Sequence, residues 1–312
     1  MTAPSALITG GCGFIGVNLA RLLSERGWRL VAFDNLSTGS AADAEAAGFG
    51  DLIVGDVADR DGLAAAIAGC DHVVHLAAQT GVVPSVADPL ADLEANVRGT
   101  VNALLGARQA NVRHFVLASS NAPLGGAEPP ARETAVPRPS SPYGASKLAA
   151  EGYCSAFAAS YGLPTTVLRF ANVYGPFSYH KGSVVATFLK AVMAGERCLV
   201  YGDGSQTRDF VYVDDLCRGI TLALEAGLSG ETFQLGTGVA TSVLELVDHL
   251  RTALAGRSVD VEHLPARPGE IDQNWSDISK ARTLLGFEPS VDLPAGLART
   301  AAWFESAYGA VV

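Results

Sequence analysis

Hydrophobic and polar residues alternate in blocks along the first 235 residues, and these blocks predict strands that are each followed by a helix. Short apolar runs that end at glycine or small polar residues are typical of buried parallel strands. Such runs occupy residues 6–9, 29–33, 51–56, 71–78, 114–118, 165–170 and 231–235. Between them, segments 14–26, 90–109 and 143–161 have apolar residues at helical spacing. The alternation predicts an α/β fold with a doubly wound parallel sheet of the Rossmann type.

The pattern changes after residue 176. Helices are predicted at 183–194, before 226 and at 242–255, with short strands around 199–213 and two helices at the end. We therefore expect residues 1–172, with about 207–235, to form the sheet domain. Residues of about 173–206 and 236–312 are expected to form a smaller α/β C-terminal lobe that binds the substrate.

Glycines follow the first predicted strand at a spacing that predicts dinucleotide binding. Gly11, Gly13 and Gly16 match G-x-G-x-x-G, and Gly10 adds a second spacing, G-x-x-G-x-x-G, with Gly13 and Gly16. Such glycines allow a tight turn, close approach of the backbone to a pyrophosphate and close packing of the next helix. Asp34 ends the second strand, 21 residues after Gly13. A carboxylate there can accept both ribose hydroxyls and would repel a 2′-phosphate, which favours NAD over NADP.

Composition excludes several other classes of function. Of 312 residues, 48% are hydrophobic and 17% charged, so a large core can form. The net charge of −10 argues against nucleic acid as a partner, and no apolar run reaches membrane-spanning length. The five cysteines form no C-x-x-C pair, which predicts a reducing, cytoplasmic location. The histidines have no metal-ligand spacing, and His72 and His75 point to opposite faces of one strand, so we expect no metal site.

The candidate catalytic residues are Ser120, Tyr143 and Lys147. Tyr143 and Lys147 are four residues apart on a predicted helix and therefore share one face. A tyrosine normally has a pKa near 10, but a nearby ammonium group and an oxidised nicotinamide both favour phenolate. Such a tyrosine can take a proton from a sugar hydroxyl while hydride leaves the same carbon. Ser120 can hydrogen-bond the same oxygen, and Lys147 can bridge the nicotinamide ribose.

These motifs together resemble the extended short-chain dehydrogenase/reductases of the NAD-dependent nucleotide-sugar epimerase/dehydratase family, UDP-glucose 4-epimerase-like, over essentially the whole chain. The matching stretches are residues 10–16 (GGCGFIG), 34–39 (DNLSTG), 75–78 (HLAA), 96–100 (NVRGT), 119–120 (SS), 143–147 (YGASK), 168–176 (LRFANVYGP), 208–210 (RDF) and 267–270 (RPGE). The resemblance implies tightly held NAD, a UDP- or dTDP-linked sugar substrate, and a homodimer formed through a four-helix seam of residues 90–109 and 143–161.

The resemblance also implies which residues form each site. The cofactor site would comprise Gly10, Gly13, Phe14, Ile15, Gly16, Asp34, Asn35, Ser37, Thr38, Asp56, Val57, Leu76, Ala77, Ala78, Asn96, Ser119, Tyr143, Lys147 and Phe170. The substrate site would comprise Ser120, Asn172, Ser183, Val184, Tyr201, Arg208, Arg267 and Glu270. In this scheme Tyr201 packs on the uracil, the two arginines clamp the diphosphate, Asn172 contacts a diphosphate or sugar oxygen, and Glu270 takes ribose hydroxyls. The alternatives are surface ion pairs for the arginines and a core position for Tyr201.

Departures from related subfamilies favour one reaction. Sugar 4,6-dehydratases have an Asp-Glu pair where this chain has Asn121 and Ala122, so the C6 hydroxyl lacks its proton donor. Decarboxylases tend to have glutamate at the positions of Ala122 and Ala145, and 3,5-epimerase/reductases have a histidine at the position of Phe177. The remaining chemistry is NAD-dependent 4-epimerisation of a UDP-hexose of the UDP-glucose/UDP-galactose type. A UDP-glucuronate 4-epimerase, another reductase or dehydratase of the family, and a non-catalytic NAD sensor are the alternatives.

Four further positions, Lys181, His180, Asp56 and Leu124, affect how the two sites are interpreted. Lys181 could contact a C6 carboxylate, but a solvated lysine in a loop is favoured, and His180 is expected at the surface. Asp56 could reach the adenine amine or cap the helix that follows it. Leu124 replaces the aromatic residue of many relatives, which would reshape the sugar pocket.

Overall fold

The computed structural model describes residues 3–254, 256–267 and 271–309. In these residues the strands are β1 (Ser5–Thr9), β2 (Arg29–Asp34), β3 (Asp51–Val54), β4 (His72–His75), β5 (His114–Ser120), β6 (Thr165–Phe170), β7 (Asn172–Tyr174), β8 (Cys198–Tyr201), β9 (Thr207–Arg208), β10 (Phe210–Tyr212), β11 (Glu231–Leu235), β12 (Thr241–Ser242) and β13 (Val261–Leu264). The helices are α1 (Phe14–Glu25), α2 (Ala41–Ala46), α3 (Arg60–Ile67), α4 (Val82–Ala87), α5 (Pro89–Leu93), α6 (Gly99–Gln109), α7 (Pro142–Tyr161), α8 (Val184–Met193), α9 (Val213–Ala226), α10 (Val243–Ala253), α11 (Ser279–Leu285) and α12 (Leu293–Tyr308).

Seven strands form one parallel sheet in the order β11-β6-β5-β4-β1-β2-β3. The chain moves outward from β1 to β3 and then crosses back to β4 on the other side of β1. The connection after β1 therefore runs toward one edge of the sheet, and the connection after β4 runs toward the other. This divergence opens a crevice at the carboxyl ends of these two strands. The predicted doubly wound Rossmann-type sheet is confirmed.

Helices cover both faces of the sheet, as its near-continuous apolar strands require. On one face α1, α9 and α11 bury a core that includes Leu19, Ile220 and Phe233. On the other face α3, α6 and α7 bury a second core that includes Leu104 and Phe115. With both faces buried, the carboxyl edge of the sheet is the surface at which loops can build a site.

The C-terminal lobe has its own small core, which includes Phe188, Val200, Leu246 and Phe304. Around this core lie α8, α10 and α12 and three two-stranded sheets: β8 with β13, β7 with β10, and β9 with β12. Because β7 follows β6 after a single residue, the lobe starts directly at the carboxyl edge of the main sheet.

Several predicted element boundaries were wrong. The third strand ends at Val54 and the fourth at His75, so residues 76–78 already belong to the loop above the sheet. The segment predicted as a loop at 79–89 contains α4, and the helix predicted at 90–109 is interrupted by a π-helical turn, Glu94–Arg98, between α5 and α6. Among the described residues, no helix is both long enough and apolar enough to cross a bilayer.

Candidate active site

In the glycine turn between β1 and α1, backbone atoms of different residues lie in close contact. Gly10 has a φ of +67°, and a Cβ on Gly16 would lie 2.5 Å from the Gly10 carbonyl oxygen, so both positions need glycine. Gly13 is the N-cap of α1 and has no side chain to cap the first N–H groups of that helix. These N–H groups and the positive end of the helix dipole suit a pyrophosphate.

Asp34 fixes this turn from the end of β2. Its carboxylate is buried and accepts hydrogen bonds from the backbone N–H groups of Cys12 at 3.0 Å and Leu36 at 2.8 Å. The predicted ribose-binding acid therefore lies directly beside the glycine turn, where the dinucleotide fingerprint requires it.

The loop after β2 contacts the end of β3 through polar side chains. Asn35 donates to the carboxylate of Asp56 at 3.0 Å, and both residues are exposed, as are Ser37 and Thr38. The N-cap of α3 is Asp59, whose side chain accepts from the N–H of Gly62. The interpretation of Asp56 as a helix cap is therefore wrong.

The ends of the neighbouring strands complete the floor of the crevice. Ala77 donates its N–H to the Thr9 hydroxyl at 3.2 Å, and a Cβ on Gly10 would lie 2.8 Å from that same nitrogen. The small residue Ala77 after β4 therefore packs against the glycine turn. The other residues predicted at the cofactor are placed as follows: Phe14, Val57, Asn96, Ser119 and Phe170 are buried, and Ile15, Leu76 and Ala78 are half-buried.

Ser120, Tyr143 and Lys147 are brought together at the carboxyl end of β5. Tyr143 lies in the first turn of α7, which starts at a proline and is capped by the side chain of Ser141. The Ser120 side chain acts to lower the pKa of the Tyr143 phenol, and its Oγ accepts from the Ala122 N–H at 2.9 Å. The Nζ of Lys147 donates to the Ala118 carbonyl at 3.0 Å, so the ammonium is held against the strand that carries Ser120.

Burial controls the ionisation of Tyr143 and Lys147. It raises the pKa of Tyr143, with the hydrogen bond from Ser120 opposing the shift. Burial lowers the pKa of Lys147 to about 8, with the carboxylates of Asp92 and Glu151 opposing. A lowering of the tyrosine pKa by Lys147 is not seen, and desolvation of the phenol is the largest cause of the shift.

A buried ion pair lies behind this site. Glu151 and Arg169 are joined by two hydrogen bonds of 3.0 and 2.6 Å, and Ser119 donates to the same carboxylate at 2.6 Å. The two charged side chains are 8% and 5% exposed. Glu151 lies one turn after Lys147 on α7, so the network connects the catalytic helix to β5 and β6.

In the lobe, Tyr201 and Arg267 are in contact. The guanidinium carbon of Arg267 lies 3.6 Å from the centre of the Tyr201 ring, which is half-buried. The Arg208 guanidinium donates to the carbonyls of Thr207 and Ile271 at 2.8 Å each. A surface ion pair for Arg267 and a core position for Tyr201 are thus not what the structure shows.

The remaining predicted substrate residues lie on the loop between β6 and α8. Asn172 is exposed at the start of β7, Ser183 is the N-cap residue of α8 without a side-chain capping bond, and Val184 is half-buried after it. Glu270 lies outside the described residues.

The same loop carries Lys181, which is not the solvated lysine that the sequence favoured. Its side chain is half-buried, burial lowers its pKa, and its charge contributes to the lowered pKa of Lys147. Its charge therefore acts on Lys147. His180 is exposed beside it, as predicted.

Comparison with known proteins agrees with this geometry. Residues 6–236 match the model of the NAD dependent epimerase/dehydratase family. The chain belongs to this family. As a member of the NAD-dependent epimerase/dehydratase family it is an extended short-chain dehydrogenase/reductase, as the motifs predicted, and its cofactor is NAD. The glycine turn and Asp34 fit that cofactor.

Individual relatives span nearly the whole chain. A UDP-glucose 4-epimerase of Mycolicibacterium smegmatis is 38% identical, covering 96% of this chain and 98% of its own length. A dTDP-glucose 4,6-dehydratase of Streptomyces niveus is 33% identical, covering 96% of this chain and 92% of its own length. The structure of a Thermotoga maritima UDP-glucose 4-epimerase with UDP-glucose has a TM-score of 0.91 at 35% identity, covering 97% and 99%.

Sequence reasoning on this epimerase/dehydratase missed two carboxylates, Asp92 and Glu151. Both are buried and both act on the charge of Lys147. The available signal was spacing: Glu151 lies four residues after Lys147, and Asp92 lies four residues before Asn96. Acidic residues in helices normally face water, so only the packing of α5 and α7 distinguishes them.

Proposed function

We propose that the protein is an NAD-dependent 4-epimerase of a UDP-hexose of the UDP-glucose/UDP-galactose type, acting through a transient 4-keto sugar. The observation that supports it best is the buried Lys147 one helical turn after Tyr143 on α7, with its Nζ 3.0 Å from the carbonyl of Ala118 on the strand that carries Ser120, at the carboxyl edge next to the glycine turn. A Tyr143 hydroxyl in that position can exchange a proton with a sugar hydroxyl.

The chain's own groups manage the proton of the C4 hydroxyl. Tyr143 accepts this proton and returns it, and Ser120 holds the oxygen in place and favours the phenolate. When bound, NAD supplies reversible hydride acceptance, so no net oxidation results. The glycine turn and Asp34 would hold its pyrophosphate and adenosine ribose. Arg208 and Arg267 suit a diphosphate, since a guanidinium pairs with phosphate oxygens in a bidentate manner.

The residues after Ser120 argue against a dehydratase. Asn121 is buried, and its amide donates to the side chains of Asn274 at 3.2 Å and Ser276 at 3.1 Å. Ala122 begins a short 3-10 turn that ends at the buried Leu124. Neither position offers a carboxylic acid to protonate a leaving C6 hydroxyl, so elimination lacks its acid here.

A panel of UDP-sugars tests this proposal. The NAD-containing protein is incubated with UDP-glucose, UDP-N-acetylglucosamine and UDP-glucuronate, and the C4 proton is followed by NMR. We expect the 4-epimer of at least the glucose to accumulate without net NADH. A deoxy-keto product or stoichiometric NADH would instead assign the protein to the dehydratases or reductases of the family.

Lys181 supports a second candidate, a UDP-glucuronate 4-epimerase. Lys181 is a half-buried ammonium whose charge acts on Lys147, and a C6 carboxylate would compensate that second positive charge. The loop that carries it is held by a hydrogen bond from Lys190 Nζ to the Lys181 carbonyl at 3.3 Å.

If the uronate is the substrate, Lys181→Met is expected to raise KM for UDP-glucuronate by at least about tenfold, because a charge-assisted hydrogen bond is lost. Steady-state kinetics on UDP-glucuronate and UDP-glucose provide the measurement. Lys190→Met is the matched control, since it removes the same charge from the same region and should affect both sugars alike. Equal losses on both sugars in Lys181→Met would exclude a carboxylate contact.

We further propose that the enzyme is a homodimer. The face formed by α4, α5 and α7 exposes Val83 (74%), Leu90 (72%) and Tyr153 (43%), and large apolar side chains exposed together are typical of an interface. The predicted four-helix seam of residues 90–109 and 143–161 includes Leu90 and Tyr153 of this face, and Val83 extends it onto α4. A solution mass of one 32.2 kDa chain would refute the dimer.

A further inference from the structure

A buried acid, Asp92, lies beside the catalytic helix and has no role in the chemistry described above. It is 1% exposed and is located in α5, which packs against α7. A fully buried carboxylate is rare unless its charge is compensated. Asp92 therefore requires nearby positive charge or hydrogen-bond donors.

The donor is the amide of Asn96, located in the π-helical turn. Its Nδ2 lies 2.9 Å from Asp92 Oδ1, 3.2 Å from Ser146 Oγ and 3.0 Å from the Gln79 carbonyl oxygen. The wider turn places Asn96 where it can reach three segments of the chain at once, and such π turns are frequent at functional sites.

Ser146 extends this contact to the catalytic residues. It lies between Tyr143 and Lys147 in sequence, is buried, and donates its hydroxyl to the Tyr143 carbonyl at 3.0 Å. A continuous series of hydrogen bonds thus runs from the Asp92 carboxylate through Asn96 and Ser146 to the backbone of Tyr143.

The charge of Asp92 also acts on both catalytic groups. It raises the pKa of Lys147 and contributes to the raised pKa of Tyr143. The other nearby carboxylate, Glu151, is already paired with Arg169. The remaining titratable groups around Lys147 are Glu151 and Cys154 of α7, Lys181 of the loop after β7 and His75 of β4.

We propose that Asp92 is a positioning residue of the active site, which keeps the Lys147 side chain charged and, through Asn96 and Ser146, fixes the first turn of α7 that carries Tyr143. This inference rests on the proposed epimerase function for its kinetic consequences. The effect of the Asp92 charge on the ionisation of Tyr143 and Lys147 involves only residues of this chain and does not depend on which reaction it catalyses.

Asp92→Asn tests the charge with almost no change of shape. Loss of the carboxylate lowers the pKa of both Tyr143 and Lys147, so both limbs of the pH profile of kcat/KM should move to lower pH, by roughly one unit. Glu94→Gln is the matched control, because Glu94 is an exposed acid two residues away that pairs with Arg98 at 2.8 Å. Its profile should equal that of the unmodified enzyme.

Asp92→Glu provides the second variant and decides the matter even if Asp92→Asn does not fold. It keeps the charge but displaces it by one methylene, so turnover should fall while the pH profile stays in place. A profile displaced in Asp92→Glu, or one unmoved in a folded Asp92→Asn, would overturn the electrostatic role and leave Asp92 as a packing residue only.

A titration that needs no substrate separates this inference from the proposed function. NMR of ζ-¹³C-tyrosine in the NAD-containing protein, with the Tyr143→Phe variant for assignment, reports the pKa of Tyr143 directly. We expect a lower pKa in Asp92→Asn than in the unmodified protein. If no UDP-sugar is turned over, the epimerase proposal fails, yet this titration still confirms or refutes the effect of Asp92.

Discussion

Tyr143→Phe is expected to reduce epimerase turnover by about 10³-fold, the usual contribution of a positioned acid–base group. The substitution removes the phenol hydroxyl and leaves the half-buried aromatic ring in place at the start of α7. The glycine turn and Asp34 are untouched, so the NAD content per chain should not change. Turnover is measured on the best UDP-sugar of the panel, and NAD is quantified after denaturing the protein.

Tyr153→Phe is the matched control for this experiment. Tyr153 lies on the same helix α7 but is 43% exposed, so losing its hydroxyl should leave turnover unchanged. If Tyr143→Phe retained full activity, the mechanism would be wrong, although the fold and the cofactor assignment would stand.

Glu151→Gln is expected to lower the free energy of unfolding by about 3–5 kcal/mol, because it leaves the buried Arg169 guanidinium without a counter-charge. The same change removes a carboxylate that raises the pKa of Lys147, which lies at about 8. A lower lysine pKa means that the ammonium is lost at lower pH, so the alkaline limb of the activity profile should move below about 8.

Urea denaturation with an unchanged m-value gives the stability change, and Glu94→Gln is again the control. Glu94 and Arg98 form an exposed pair that contributes at most about 1 kcal/mol. If Glu151→Gln lost no more free energy of unfolding than Glu94→Gln, the Glu151–Arg169 pair would not stabilise the fold.

The sheet could be predicted from sequence because each of its first elements is specified by residues that are close together in the chain. Apolar runs at strand spacing, the glycines at 10–16 and Asp34 define β1, α1 and β2 without reference to the rest of the chain. Ser120 follows the fifth predicted strand, and the carboxyl ends of parallel strands share one edge of the sheet, so its place at that edge could be predicted. Tyr143 and Lys147 required only helical periodicity.

The environment of the site could not be predicted in the same way. Whether Lys181 is solvated and whether Asp92 and Glu151 are buried depends on which helix faces pack together, and that is decided by segments far apart in sequence. The pKa of Tyr143 shows the same limit: spacing placed an ammonium near the phenol, but desolvation of the phenol is the largest cause of the shift.

The position of β11 has a consequence for how this protein can be divided. The strand pairs in register with β6 along Glu231–Leu235, yet it arrives only after the chain has passed through β7, α8, β8, β9, β10 and α9. Truncation at residue 172 would strip β6 of this neighbour and leave a bare hydrophobic edge prone to intermolecular pairing. The two parts of the molecule are therefore interwoven, and neither can be excised or exchanged as an autonomous module.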